Sequence, residues 1–109
     1  MINFKNKKIL VTGATGGIGK ALVQKFVSLE GNVLATGTKT EKLDALKKEF
    51  PNINILKFDI SDHSKIEEFI ENVASQLVGL DILVNNAGIN MDNLSLRMKD
   101  DEWNKVIDL

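Results

Sequence analysis

At 109 residues, with 43% hydrophobic and 27% charged side chains, the chain suffices for one soluble domain that buries roughly two-thirds of its unfolded surface. A net charge of −1 gives no electrostatic reason to expect nucleic acid or an anionic membrane as partner. With no cysteine, disulfides and thiolate metal sites are excluded and a reducing compartment is compatible.

The first thirteen residues, MINFKNKKILVTG, hold lysines but too short an apolar run for a secretory signal or a membrane span, so a cytoplasmic protein is expected. KKILVTG (7–13) reads as a first buried strand. After the glycines, Ile18, Ala21, Leu22, Phe26 and Leu29 recur at three- and four-residue steps and predict an amphipathic helix. NVLATG (32–37) is a second strand. Leu43, Leu46 and Phe50 mark a second helix, which Pro51 ends. NINILKFD (52–59) is a third strand. Ile66, Phe69, Ile70, Val73, Ala74 and Leu77 form the clearest helical stripe, with Ser61 or Asp62 as N-cap. LDILVNNAG (80–88) is a fourth strand. Trp103, Val106 and Ile107 predict a last helix after the acidic KDDE, whose charges suit a first helical turn.

This β-α-β-α-β-α-β-α order predicts an α/β fold of the Rossmann type, a doubly wound parallel sheet with right-handed crossovers. Residues 1–109 form a single domain in this reading, without an internal repeat or flexible linker.

The stretch LVTGATGGIGKAL (10–22) places four glycines where the first strand must turn into a helix. Glycine there reaches positive φ and lets the backbone approach a bound group, and the helix N-terminus offers unpaired N–H donors to a phosphate. The same glycines also suit a tight turn with no ligand. Two spacings fit at once: Gly13, Gly17 and Gly19, or Gly13, Gly16 and Gly19. NNAG (85–88) falls at the carboxyl end of the fourth strand, which a doubly wound sheet sets beside the first. Its asparagines satisfy loop backbone or, with the small Ala87 and Gly88, let a flat nucleoside lie against the chain. Found together, the two motifs favour a dinucleotide site.

TGATGGIG (12–19), Asp59 in FDI (58–60) and NNAG (85–88) together resemble the short-chain dehydrogenase/reductase superfamily. The spacing Gly13, Gly17, Gly19 matches its shorter, single-domain members. DILVNNAGINMDNLSLRMKDDEWNKVIDL (81–109) is similar to the bacterial β-ketoacyl-acyl carrier protein reductases. The resemblance implies a pyrophosphate and ribose site at Gly13, Thr15, Gly16, Gly17, Ile18 and Gly19. It sets Thr38 beside the adenosine ribose, Asp59 and Ile60 at the adenine, and Asn86, Ala87 and Gly88 along the path to the nicotinamide ribose, with Asn85 holding the strand end.

After the second strand, ATGTKT (35–40) offers no acid before Glu41 to bind the 2′-hydroxyl of NAD, which permits NADP. Lys39 could add positive charge, although a solvated loop lysine is the commoner fate, and Gly16 stands where many NADP-using relatives carry arginine. NADP(H) is therefore the expected cofactor.

The family's tyrosine acid, the lysine that tunes it, its serine and its asparagine find no counterpart, for this chain has no tyrosine. The resemblance places all four beyond residue 109, so no catalytic residue is assigned. No metal site is assigned either. His63, Asp92, Ser95 and Arg97 make no nucleophile–base arrangement, and Met91, Met98 and Trp103 suit packing. The chain is thus expected to be the N-terminal portion of a longer enzyme, poorly soluble alone because the fourth strand's outer edge and the last helix lack partners. That enzyme would reduce 3-oxoacyl thioesters on acyl carrier protein in fatty-acid synthesis, as a cytoplasmic homotetramer with no nucleic-acid or membrane partner. Another ketone or alcohol substrate, or a non-catalytic dinucleotide-binding module, are the alternatives.

Overall fold

Runs of Ile, Val and Leu too short for helices can satisfy their backbone only by pairing with one another, and the chain does so in parallel. A computed structural model of the chain describes residues 4–59, 65–77, 80–86 and 105–108. In chain order these form β1 (Lys8–Thr12), α1 (Gly17–Ser28), β2 (Asn32–Gly37), α2 (Thr40–Glu49), β3 (Asn54–Lys57), α3 (Ile66–Leu77), β4 (Ile82–Asn85) and β5 (Lys105–Asp108). The strands lie in the order β3-β2-β1-β4-β5. Every described pair is parallel, with Leu10 opposite Leu34 on one side and Leu83 on the other. This is the doubly wound Rossmann-type sheet, and its order reverses between β1 and β4.

Alternation along the strands divides the core. Ile9, Val11, Val33, Ala35, Ile82 and Val84 pack with Val23 and Phe26 of α1 and Leu46 of α2. Leu10, Leu34 and Leu83 point the other way, into Phe69, Val73 and Leu77 of α3. Helices therefore cover both faces, as the continuous apolar strands require.

Two expectations need correction. The buried residues of α1 are Gly19, Val23 and Phe26, with Leu22 half-buried, whereas Ala21 is exposed and Ile18 is 67% exposed. Gly19 must meet the turn that follows β1, and this contact fixes the helix's rotation. Hydrophobic spacing alone carries no sign of it. The second correction concerns the chain's last described residues. Lys105–Asp108 is a strand parallel to β4, with Val106 opposite Leu83, and not part of a helix. Val106 and Ile107 are β-branched, and so short an apolar pair suits either period. The open edge of β4, expected to stay bare, is a row of donors and acceptors that a strand satisfies.

Candidate functional site

The carboxyl ends of β1 and β4 adjoin at the reversal of strand order, Thr12 opposite Asn85. Beyond Thr12 the chain turns sharply. Gly13 takes φ 61°, a left-handed conformation that side chains rarely adopt. The Ala14 N–H donates to the Thr36 carbonyl at 2.9 Å, tying the turn to the end of β2. From the other side, Asn86 Nδ2 donates to the Gly13 carbonyl at 3.0 Å. The buried Asn85 accepts a hydrogen bond from Thr12 Oγ1 at 3.2 Å. The paired asparagines thus hold the turn as well as ending their strand.

The glycines differ in what surrounds them. A Cβ at Gly19 would overlap the Gly13 carbonyl oxygen and lie 2.7 Å from the Ala14 Cα and 2.9 Å from Asn86 Nδ2. Gly19 is needed for close packing of helix on turn. A Cβ at Gly17 would meet nothing within 4 Å, and one at Gly16 only the Gly13 carbonyl oxygen at 3.8 Å. Among the described residues nothing fills the space before the first turn of α1. Gly16 is the N-cap and supplies no side-chain cap, and no acidic residue stands in that turn. Uncapped N–H donors at the positive end of a helix, beside an open space, suit a phosphate. The donor set and the room therefore fit a dinucleotide's pyrophosphate. Ile18, in the same first turn, is the one large apolar side chain exposed among the described residues.

Thr15 packs its side chain on Gly37 at the end of β2, where a Cβ would stand 3.2 Å from Thr15 Cγ2. Thr38 and Asp59 are exposed just past the ends of β2 and β3. Lys39 is the exposed N-cap of α2. The structure thus gathers Gly13, Thr15, Gly16, Gly17, Ile18, Gly19 and Asn86 around one turn, with Thr38 and Asp59 at neighbouring strand ends. Ile60, Ala87 and Gly88 lie outside the described residues, as do His63, Met91, Asp92, Ser95, Arg97, Met98 and Trp103. The buried Thr12 hydroxyl also belongs to this arrangement. Its only sign in the sequence is a polar residue closing an apolar run. Among the described residues no helix is long and apolar enough to cross a membrane, and no group of three His, Asp or Glu could hold a metal.

The chain's similarity to known proteins agrees with this geometry. The short chain dehydrogenase family model matches residues 7–109. The 3-oxoacyl-(acyl-carrier-protein) reductase of Salmonella typhimurium is 40% identical over 108 residues, which are 98% of this chain and 44% of that protein. The Escherichia coli protein of the same name is 39% identical over the same shares. The chain therefore spans less than half the length of these curated relatives. A solved short-chain dehydrogenase from Streptomyces avermitilis superposes with a TM-score of 0.69 at 35% identity, over 75% of this chain and 30% of that one.

Proposed function

We propose that this chain, which belongs to the short-chain dehydrogenase family, is the dinucleotide-binding domain of an NADPH-dependent reductase acting on 3-oxoacyl thioesters of acyl carrier protein. The observation that carries this reading is the clamp of Asn86 on the Gly13 carbonyl, which holds an uncapped, sterically open helix start at the reversal of strand order. In this reading the first-turn amides beside Gly16, Gly17 and Ile18 bind the pyrophosphate. Gly13 and Gly19 allow the turn. Thr15 and Thr38 flank the adenosine ribose, Asp59 and Ile60 the adenine, and Asn86, Ala87 and Gly88 the path to the nicotinamide. A bound nicotinamide dinucleotide supplies hydride chemistry. The residues assigned here bind and orient it, and the proton donor belongs to a part of the enzyme beyond this chain. The lack of an acid between Gly37 and Thr40 supports NADPH over NADH. The substrate class rests on the reductases that the chain resembles.

The test is an assay of the full natural chain with a 3-oxoacyl-acyl carrier protein, following loss of the reduced nicotinamide absorbance. The reading expects NADPH-dependent formation of the 3-hydroxyacyl thioester. Turnover of a different ketone only, or oxidation of NADH alone, would contradict it.

A further inference from the structure

Gly16 leaves one phosphate clamp missing, and Lys39, more often a solvated loop lysine, is not the sole cation near the end of β2. A cavity of about 190 Å³ lies between α1 and α2, lined by Thr15, Lys20, Lys42, Ala45, Leu46 and Glu49. Thr15 in that lining is the residue that packs on Gly37 at the end of β2. The cavity thus adjoins the place proposed for the adenosine ribose.

Its charges are unequal. Lys20 Nζ is held by Glu49 Oε2 at 2.8 Å, with both side chains about half exposed, so that pair is neutral as a unit. The Lys42 side chain has no ion pair or hydrogen bond among the described residues. Two cations and one anion line the cavity, so it carries one uncompensated positive charge beside Thr15. Lys39 lines none of this space and stands as the exposed N-cap of α2. A phosphate on the 2′-oxygen of an adenosine ribose near Thr15 and Thr38 would meet the ammonium group of Lys42 with no acid of its own to displace.

We infer that Lys42, facing the cavity between α1 and α2 beside Thr15, is the residue that selects a 2′-phosphorylated dinucleotide. Lys39 does not fill this role. The inference rests on the cofactor reading above and adds the residue that discriminates between its two forms.

Calorimetric titration of the full natural chain with NADPH and with NADH tests it, alongside the variants Lys42→Met, Lys42→Arg and Lys39→Met. Loss of one charge-assisted contact predicts that Lys42→Met weakens NADPH roughly tenfold and leaves NADH unchanged. Lys42→Arg should restore NADPH, and Lys39→Met should stay within about twofold of the parent, as an exposed charge does. The parent's preference for NADPH should shrink as salt rises, and that of Lys42→Met should not. Equal losses for both nucleotides at Lys42→Met would mean a packing role and overturn the inference. So would an unchanged NADPH affinity, or a selective loss at Lys39→Met. If the parent binds neither nucleotide, the cofactor reading itself falls and this one with it. If the parent binds both and Lys42→Met changes nothing, only the role of Lys42 falls.

Discussion

A single methyl group separates the roles of two glycines that the sequence leaves equivalent. At Gly19 it would drive into the Gly13 carbonyl and the Ala14 backbone, neither of which can rotate away as a side chain end would. Gly19→Ala should therefore lower unfolding stability by about 3 kcal/mol, measured by urea denaturation, and weaken dinucleotide binding with it. At Gly17 the methyl enters open space. Gly17→Ala should leave stability unchanged, or raise it by up to about 0.5 kcal/mol since alanine is the better helix former, yet still reduce affinity for the dinucleotide. A loss of stability equal to that of Gly19→Ala would contradict the division. Asn86 makes a third case. Removing its amide with Asn86→Ala deletes one partly buried hydrogen bond to Gly13, a cost of about 1 kcal/mol by thermal melting. Because that bond fixes the turn, nucleotide affinity should fall in the same variant.

Among the elements, α1 shows where hydrophobic spacing is a sufficient guide and where it is not. The strand runs were legible because only short, continuous Ile, Val and Leu segments can line a sheet buried on both sides. α2 was legible through Leu43 and Leu46, both buried, with Pro51 following its end. The rotation of α1 was not, because the contact that sets it belongs to Gly19, a residue with no hydrophobicity to reveal it. Val23, absent from the expected stripe, is fully buried, and Ala21, present in it, is exposed. Val23→Ala should thus cost about 2 kcal/mol and Ala21→Ser no more than about 0.5 kcal/mol, read from denaturant midpoints. The reverse order would restore the stripe read from spacing. β5 was hidden for a different reason. Four residues are too few for period to decide, and the deciding contact is the edge of β4, which exists only once β4 has paired with β1. Of the candidate site, the meeting of Gly13, Gly19 and Asn86 at the turn was legible from glycine spacing and the paired asparagines that end β4. The cavity charge at Lys42 was not, since it depends on Lys20 finding Glu49 across two helices.

For the whole molecule, the two half-cores and the site are one construction. Parallel strands bring every β-to-α turn to the same end, and the reversal between β1 and β4 opens a crevice there. Apolar layers pack on either side of the sheet, and the turn after β1 is tied to β2 and β4 by the Ala14 and Asn86 hydrogen bonds. A dinucleotide that binds only the folded chain should also raise its melting temperature, by an amount equivalent to about 2.7 kcal/mol at a hundredfold excess over Kd. The most direct test of where that ligand sits is a crystal structure of the full natural chain with NADPH. The account predicts pyrophosphate oxygens within about 3 Å of the backbone amides at the start of α1, with the adenosine extending toward Thr38 and Asp59. Nucleotide bound at another surface, with the turn from Gly13 to Gly19 left bare, would contradict it.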